Sequence, residues 1–413
     1  MVALSTPSTA LALRVFLPFA GGYFLSYLYR SVNAVIAPDL VRELDLTAAD
    51  LGLLTSTYFL TFSLVQLPLG VLLDRLGPRR VEASLLLLAV IGASLFALAS
   101  STQLLILGRG LIGLGVSACL MASMKGFTQW FASERLPLVN GLLLGFGGLG
   151  ALAATAPVEW ALHYTGWRSL FFLLAGATLL VSAVIFFVLP ERPPGSTNPK
   201  QETLAQQIGA VKTIFKSPVF WCIAPGSALI QASFMGIQGL WAGPWLRDVA
   251  HLSREDVAGH LFAMAFAVAV GFVAMGLLAD WLRRHKISPL TVALVGMCLF
   301  LLVQLAFVLE WTSAALPLCL LFGFLGTSGA LNYASLTQLF PSHLAGRVTT
   351  SFNLLVFGST FVAQWGIGVV IDLWPVENGH YAPPAYAAAF GLMLALQLVG
   401  IAWFIFSRKK IAS

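Results

Sequence analysis

The chain is a series of long apolar stretches separated by short polar segments. Each stretch reaches about 20 residues, the length that an α-helix needs to cross a bilayer. Membrane β-strands would instead alternate in polarity over about ten residues, and unbroken apolar runs such as 85–98 exclude that pattern. The pattern therefore predicts an all-α integral membrane protein with twelve transmembrane helices. The predicted spans are 12–38, 51–73, 81–100, 104–124, 137–161, 169–189, 218–245, 258–279, 288–309, 315–339, 348–372 and 386–407.

One long polar segment divides these spans into two sets of six. It is rich in proline and in charged residues, and it predicts a cytoplasmic linker at 191–217. Residues 201–216 within it are expected to form an interfacial helix. The domains predicted on either side are an N-terminal six-helix bundle, 1–190, and a C-terminal six-helix bundle, 218–413.

Composition and charge narrow the class further. Charged residues make up 10% of the chain, against about 25% in soluble domains, which excludes a soluble globular, disordered or nucleic-acid-binding protein. Seventeen of the 23 Lys and Arg fall on the side that holds both termini. Because basic loops stay in the cytoplasm, we expect both termini there. The expected location is the bacterial inner (plasma) membrane, with the chain as a monomer in the lipid bilayer.

Enzyme chemistry has no support in the sequence. No nucleophile elbow, phosphate-binding loop or cluster of metal ligands is present. The four cysteines lie singly inside apolar runs, which argues against a disulfide framework or a zinc site. We therefore expect no enzymatic activity, no cofactor and no metal.

A short motif occurs once in each half. Gly70-Val-Leu-Leu-Asp74-Arg75-Leu-Gly77-Pro-Arg79-Arg80 follows span two, and Gly276-x-x-x-Asp280 follows span eight, 206 residues later. Repeated halves are typical of transporters. The first unit resembles the cytoplasmic-loop motif of the major facilitator superfamily, and Arg109-x-x-x-Gly113-x-Gly115 in span four resembles the family's second motif. The resemblance covers essentially the whole chain and implies two pseudo-symmetric six-helix bundles, the major facilitator fold.

The resemblance assigns the loop motif to a gate. In the family, its aspartate belongs to a charge network that holds the cytoplasmic side closed while the carrier opens outward. These residues would control the conformation of the carrier and would not bind the substrate. The alternative is that the charges of the motif only fix the orientation of the chain in the membrane. The gating residues implied by motif position are Gly70, Asp74, Arg75, Gly77, Arg79, Arg80 and Asp280.

Two arginines, Arg30 and Arg109, lie inside predicted spans. A charge at that depth costs about 2.5–3.5 kcal/mol on insertion scales and marks a functional site by default. All 17 Asp and Glu fall in loops or near span ends, so the central cavity, which spans one, four, seven and ten line in this superfamily, is expected to be positive. Arginine suits carboxylates. The anion-binding residues predicted in the first half are Arg30, Tyr27, Asn33 and Arg109, and for Arg109 a purely structural role is an equal alternative.

Neutral polar and aromatic side chains recur at helical spacing elsewhere. We predict that they recognise the shape and neutral parts of the substrate, the alternative being hydrogen bonds between helices. They are Tyr58 in span two; Gln231, Gln238 and Trp241 in span seven; Asn332 and Tyr333 in span ten; and Asn353 in span eleven.

The sequence does not decide how transport is coupled to an ion gradient. The stretch Tyr29-Arg30-Ser31-Val32-Asn33 weakly resembles the first span of the anion–cation symporter branch, which has Asp where this chain has Tyr29. The glutamate that the branch places after the span-four arginine is replaced here by Val116 and Ser117. The candidate coupling groups are then Asp39, Glu159 and His163, and symport, exchange and uniport remain alternatives.

The function predicted from these features is a secondary transporter. Its substrate is expected to be a small organic anion or carboxylate-bearing metabolite, amino acids and peptides included, moved by alternating access. The alternative is a drug/proton antiporter that exports lipophilic compounds. A non-transporting sensor on the same fold is a further alternative.

Overall fold

The computed structural model describes residues 9–190, 203–341, 344–377 and 379–408, and it is almost entirely helical. The helices of the first half are α1 Thr9–Ser31, α2 Asn33–Leu44, α3 Ala48–Leu76, α4 Pro78–Leu98, α5 Thr102–Val116, α6 Cys119–Trp130, α7 Leu136–Ala153, α8 Ala156–Leu162 and α9 Trp167–Val188. Those that follow are α10 Leu204–Lys216, α11 Pro218–Gly236, α12 Ala242–Asp248, α13 Arg254–Arg284, α14 Pro289–Val308, α15 Ala315–Gly326, α16 Leu331–Gln338, α17 Ala345–Ile371 and α18 Pro383–Arg408. A short hairpin, β1 Val376–Glu377 and β2 His380–Tyr381, precedes α18.

Twelve segments of the described chain are long and apolar enough to cross a membrane, which confirms the predicted twelve-helix fold. Most span edges agree to within five residues; the third, for example, is Pro78–Leu98 where hydropathy predicted 81–100. The largest difference is in span one, which ends at Ser31 where 38 was predicted. The helix expected at 201–216 is α10, and residues 191–202 of the predicted linker lie outside the described residues.

Spans one, four, five, seven and ten each contain an interruption of the regular α-helix that hydropathy did not predict, and the one in span five lies between α7 and α8. Span one breaks at Val32 and span four breaks between α5 and α6. Span seven contains a π-helical turn, Ile237–Trp241, and span ten a 3-10 turn, Thr327–Ala330. Discontinuous helices in transporters mark the region that binds substrate, so the interruptions direct attention to the residues beside them.

Contacts divide the chain into two compact units, Met1–Val32 with Leu60–Gln207, and Asn33–Phe59 with Ile208–Ser413. In the first, α4 packs on α5 and α9, and α1 packs on α7. In the second, α11 packs on α17 and α18, and α13 packs on α15. The segment Asn33–Phe59 groups with the second unit although it belongs to the first half of the sequence.

The α4–α5 contact depends on two facing glycines. A Cβ on Gly92 would lie 2.6 Å from the carbonyl oxygen of Gly108, and one on Gly108 would lie 2.8 Å from the carbonyl oxygen of Gly92. Small residues let helix backbones approach closely in membranes. These two positions therefore set the spacing of spans three and four.

Replacing Gly92 with alanine is expected to destabilise the protein by about 1–3 kcal/mol, the usual cost of overpacking. Thermal unfolding of the purified protein measures it. Gly176 on α9 is the matched control, because its Cβ would meet nothing within 4 Å, and Gly176→Ala should leave the melting temperature unchanged. Equal melting temperatures for the two variants would contradict the close contact.

The amino-terminal end of α3 is held by side chains from the far end of the chain. The Ala48 backbone N–H donates to the hydroxyl of Tyr381 at 3.0 Å and to Oδ1 of Asp372 at 3.3 Å, and the Tyr381 hydroxyl donates to the same carboxylate at 2.6 Å. Burial, helped by the Asp372 carboxylate, raises the pKa of Tyr381 to about 12. The phenol thus stays protonated at neutral pH and keeps both bonds.

A second polar cluster in the same unit surrounds Asp248, whose side chain is fully buried. Its carboxylate accepts hydrogen bonds from Nε of Arg247 at 2.6 Å and from the hydroxyl of Tyr386 at 2.5 Å, and it contacts Nδ1 of His380 at 2.8 Å. A buried carboxylate needs such partners. The cluster fastens the hairpin and the start of α18 to the end of α12.

Candidate functional site

Arg30 lies at the end of α1, directly before the interruption at Val32. Its guanidinium carbon is 4.4 Å from the centre of the Tyr27 ring and 5.7 Å from that of Phe62. The Tyr27 ring in turn meets Tyr23 edge to face at 5.1 Å. Cation–π contact engages the face of a guanidinium, whereas carboxylate binding uses its edge, so an arginine held in this way can also bind an anion.

Arg109 is wholly buried in α5 and contacts the backbone of α1. Its Nη1 donates to the carbonyl of Tyr29 at 2.7 Å, and its Nη2 donates to the carbonyl of Arg30 at 3.4 Å. In a continuous helix the backbone N–H of Asn33 would donate a hydrogen bond to the Tyr29 carbonyl. The guanidinium thus replaces a helical bond at the break and fixes the backbone that carries Arg30.

The aspartate of the loop motif forms an ion pair between helices. Asp74, near the end of α3, pairs with Lys125 on α6, and both side chains are about one-quarter exposed. The two residues are 51 positions apart, and no sequence pattern singled out Lys125. The pair joins spans two and four at the end where the loop motif lies.

The other residues of the first motif shape the turn between α3 and α4. Gly77 has φ +80° and immediately precedes α4, a conformation that favours glycine. Arg79 stacks over Phe186 of α9 at 5.2 Å. Arg75 and Arg80 are exposed, and Gly70 is half-buried on α3.

The repeat of the motif in the second half is arranged differently. Asp280 is about half exposed and pairs with Arg283 at 2.7 Å and Arg284 at 3.6 Å, both on its own helix. The first aspartate therefore links two helices, whereas its counterpart has partners three and four residues later. The gating role of Asp280 stays a prediction.

The π-helical turn of span seven carries Gln238 and Trp241. The indole N–H of Trp241 donates to the backbone carbonyl of Gln364 on α17 at 2.8 Å, and Nε2 of Gln364 donates to the carbonyl of Gly236 at 3.3 Å. Gln238 is half-buried in the same turn. π-Turns recur at functional sites, and Gln364 holds this one from both sides.

Span ten brings two predicted residues to neighbouring helices. The hydroxyl of Tyr333 donates to Oδ1 of Asn353 on α17 at 2.7 Å. Nδ2 of Asn332 contacts the sulfur of Met297 on α14 at 3.3 Å, and its Oδ1 meets no donor within the described residues. The Tyr333–Asn353 pair is a hydrogen bond between helices, which is the alternative to substrate binding that the sequence left open for these residues. The Asn332 side-chain oxygen can still accept a hydrogen bond.

Three further predicted residues are buried in the second unit. Nδ2 of Asn33 donates to the hydroxyl of Thr55 at 3.1 Å. Gln231 packs against Gly329, and Oε1 of Gln231 and Oδ1 of Asn33 meet no donor among the residues described. Tyr58 is buried and meets Phe59 edge to face at 5.3 Å.

The candidate coupling residues fall in two places. Asp39 accepts two hydrogen bonds from Arg254, at 3.0 and 2.7 Å, and one from Arg42 at 3.1 Å. Oε1 of the buried Glu159 lies 3.7 Å from Nε2 of His163, one helical turn away. Sequence reasoning missed a third carboxyl, Glu82, which hydropathy put at a span edge and which is fully buried in α4.

Twelve candidate spans among the described residues, in two compact units with buried charge beside the helix breaks, are typical of an integral membrane transporter. The family model of the Major Facilitator Superfamily matches residues 19–364. The chain belongs to the Major Facilitator Superfamily. This confirms the resemblance seen in its sequence motifs.

Two relatives match over most of the chain. The probable sulfoacetate transporter SauU of Cupriavidus necator is 24% identical over 92% of this chain and 89% of that protein. The probable galactarate/D-glucarate transporter GudP of Escherichia coli is 24% identical over 90% of this chain and 89% of that one. Among solved structures, a bacterial homologue of the human lysosomal transporter Spinster, in an inward-facing and occupied conformation, aligns with TM-score 0.78 and 18% identity over 98% of both chains. That likeness shows the fold.

Proposed function

We propose that this transporter moves a small organic anion with a carboxylate or sulfonate group across the bacterial plasma membrane by alternating access. Both termini face the cytoplasm in this proposal, as the distribution of basic residues predicts. The observation that carries it is Arg30, a guanidinium at the break in span one that stacks on Tyr27 and Phe62. Two relatives named for organic acids support the substrate class.

Arg30 is the anion-binding group in this proposal, and Arg109 positions it. Arg109 is buried and holds the carbonyls of Tyr29 and Arg30, which flank the Arg30 Cα, so it fixes the backbone from which the Arg30 side chain extends. Pre-organisation of this kind favours binding because less freedom is lost when the ligand arrives. Gln238, in the π-turn, is the neutral group that we assign to the hydroxyls or carbonyls of the substrate.

Counterflow in proteoliposomes tests the proposal. The panel contains sulfoacetate, D-glucarate, a hexuronate, an amino acid, a neutral hexose and a cationic dye. We expect wild type to exchange one or more organic acids. The exchange rate should fall at least tenfold in Arg30→Ala, which removes both the positive charge and the paired N–H donors of the guanidinium. Arg30→Lys keeps the charge without the bidentate geometry and should fall between the two.

Arg135→Ala, at an exposed position in the turn before α7, is the control and should exchange anions like wild type. Exchange of the neutral hexose alone would overturn the anion assignment. Transport of the cationic dye at equal rates by wild type and Arg30→Ala would instead favour the drug antiporter.

A further inference from the structure

Glu82 is a fully buried carboxyl enclosed by three helices of the first unit. It lies in the second turn of α4 and faces Gly22 of α1, where a Cβ would overlap its Oε1. From α6, the thiol of Cys119 lies beside it. Apart from this weak donor, neither carboxyl oxygen meets a hydrogen-bonding group within the described residues.

The charged and titratable groups of the helices around Glu82 are directed to other partners, and the Cys119 thiol is the titratable group that faces it. On α9, which also packs on α4, the Ser182 hydroxyl donates to the carbonyl of Ala83 at 2.8 Å. Four of the basic groups contact partners elsewhere: Arg79 of α4 on Phe186, Arg30 of α1 on Tyr27, Arg109 of α5 on the Tyr29 carbonyl, and Lys125 of α6 on Asp74. The others are Arg14 of α1 on the Val188 carbonyl, Arg168 of α9 on the Ala99 carbonyl, and Arg80 of α4, which is exposed.

An ionised carboxylate in such an enclosure is costly. Burying a charge without a paired cation costs several kcal/mol even after relaxation, and a group so placed is neutralised instead. Glu82 therefore carries a proton in this conformation. A carboxyl that is protonated when enclosed, and loses its proton when water reaches it, can carry one proton per cycle.

We propose that Glu82 is the proton-binding site that couples anion transport to the proton gradient. The carboxylate takes up one proton from water on the side from which the anion enters and becomes a carboxylic acid as α1 closes over it at Gly22. The acid returns that proton to water on the opposite side when α1 moves away. One proton then accompanies each substrate, so that transport of a monoanion is electroneutral. This inference rests on the proposed anion transport.

The position of Glu82 connects the two sites already described. Gly22 is eight residues before Arg30 on α1, about 12 Å along the helix, and Cys119 is six residues before Lys125 on α6, about 9 Å. The carboxyl thus contacts both the helix that carries the anion-binding arginine and the helix that carries the partner of Asp74. A displacement of α1 on anion binding would alter the enclosure of Glu82 directly.

The test compares net proton movement with exchange. Proteoliposomes that enclose a pH-sensitive dye receive, at an acidic external pH, the panel anion that wild type exchanges fastest. Wild type should acidify the lumen and accumulate the anion. Glu82→Gln, an isosteric mimic of the protonated acid, should lose both while keeping anion counterflow within about threefold, since exchange needs no change in protonation.

Glu134→Gln is the matched control, because it makes the same chemical change at an exposed carboxylate in the turn before α7. It should acidify the lumen like wild type. Acidification by Glu82→Gln at the wild-type rate, absence of acidification in wild type, or loss in Glu159→Gln in place of Glu82→Gln would each overturn the proposal.

A second measurement needs no substrate and separates this proposal from the first. Infrared spectra of wild type should contain a band of a protonated carboxyl that disappears on raising the pH and is missing in Glu82→Gln. Absence of the band from wild type at every pH overturns the Glu82 assignment even where anion exchange is observed. Failure of every panel anion to exchange overturns the proposed function. In that case the infrared band still tests whether Glu82 is protonated. Glu82→Asp, should Glu82→Gln not fold, is expected to shift the pH at which the band disappears.

Discussion

Replacing Arg109 with alanine is expected to remove transport and to lower the free energy of unfolding by about 2–4 kcal/mol. The guanidinium makes two hydrogen bonds to buried carbonyls of α1, and bonds to charged groups contribute about 1.5–3 kcal/mol each. Loss of the desolvation cost of the charge offsets part of this. The Tyr29 carbonyl, left without a partner at the helix break, accounts for the net loss.

Thermal unfolding and anion counterflow, measured on the same preparation, check this expectation. Arg109→Lys retains one donor near the carbonyls and should recover part of the stability and little of the transport. A variant Arg109→Ala that unfolds at the wild-type temperature but no longer binds anions would show that Arg109 is itself a substrate ligand, as the sequence allowed.

Breaking the Asp74–Lys125 pair is expected to slow transport about tenfold. The pair is only about one-quarter exposed and joins α3 to α6, and a loss of about 1.4 kcal/mol in one conformation changes its population tenfold. Asp74→Asn and Lys125→Met should therefore have similar effects on initial uptake rates. The exchanged double variant Asp74→Lys with Lys125→Asp should recover to within about threefold of wild type, because it restores opposite charges.

Asp280→Asn provides the comparison from the second half. Its partners are three and four residues away on the same helix and are exposed, and such pairs contribute only about 0.3–0.5 kcal/mol. We expect less than a twofold change in uptake rate. Equal losses at Asp74 and Asp280 would instead mean that both motifs gate the transporter in the same way.

Hydropathy predicted the twelve spans because the length of an apolar run and the basic loops around it are local properties of the sequence. It did not predict the break at Val32, since no residue there disfavours a helix strongly and Pro38, the evident breaker, lies inside α2. The break depends on Arg109, 80 residues away from Tyr29 along the chain. A side chain that replaces a backbone bond is visible only once the helices are packed.

The candidate site shows the same division between local and long-range information. Composition identified Arg30 and its tyrosine neighbour, because charge inside an apolar run stands out in the sequence. It could not identify Lys125, whose role depends on a partner in another helix. Glu82 looked like one more charge near the loop motif, since its burial depends on the glycine that faces it from α1.

The hydrogen bonds at the start of α3 also bear on the order in which parts of this protein are synthesised and packed. The Ala48 backbone N–H is held by Asp372 and Tyr381, which follow it by 324 and 333 residues. A ribosome adding about 5–20 residues per second needs tens of seconds to supply them. The second span thus enters the membrane long before its amino-terminal partners exist, and a chain cut short after its sixth span would leave this end exposed to cellular proteases.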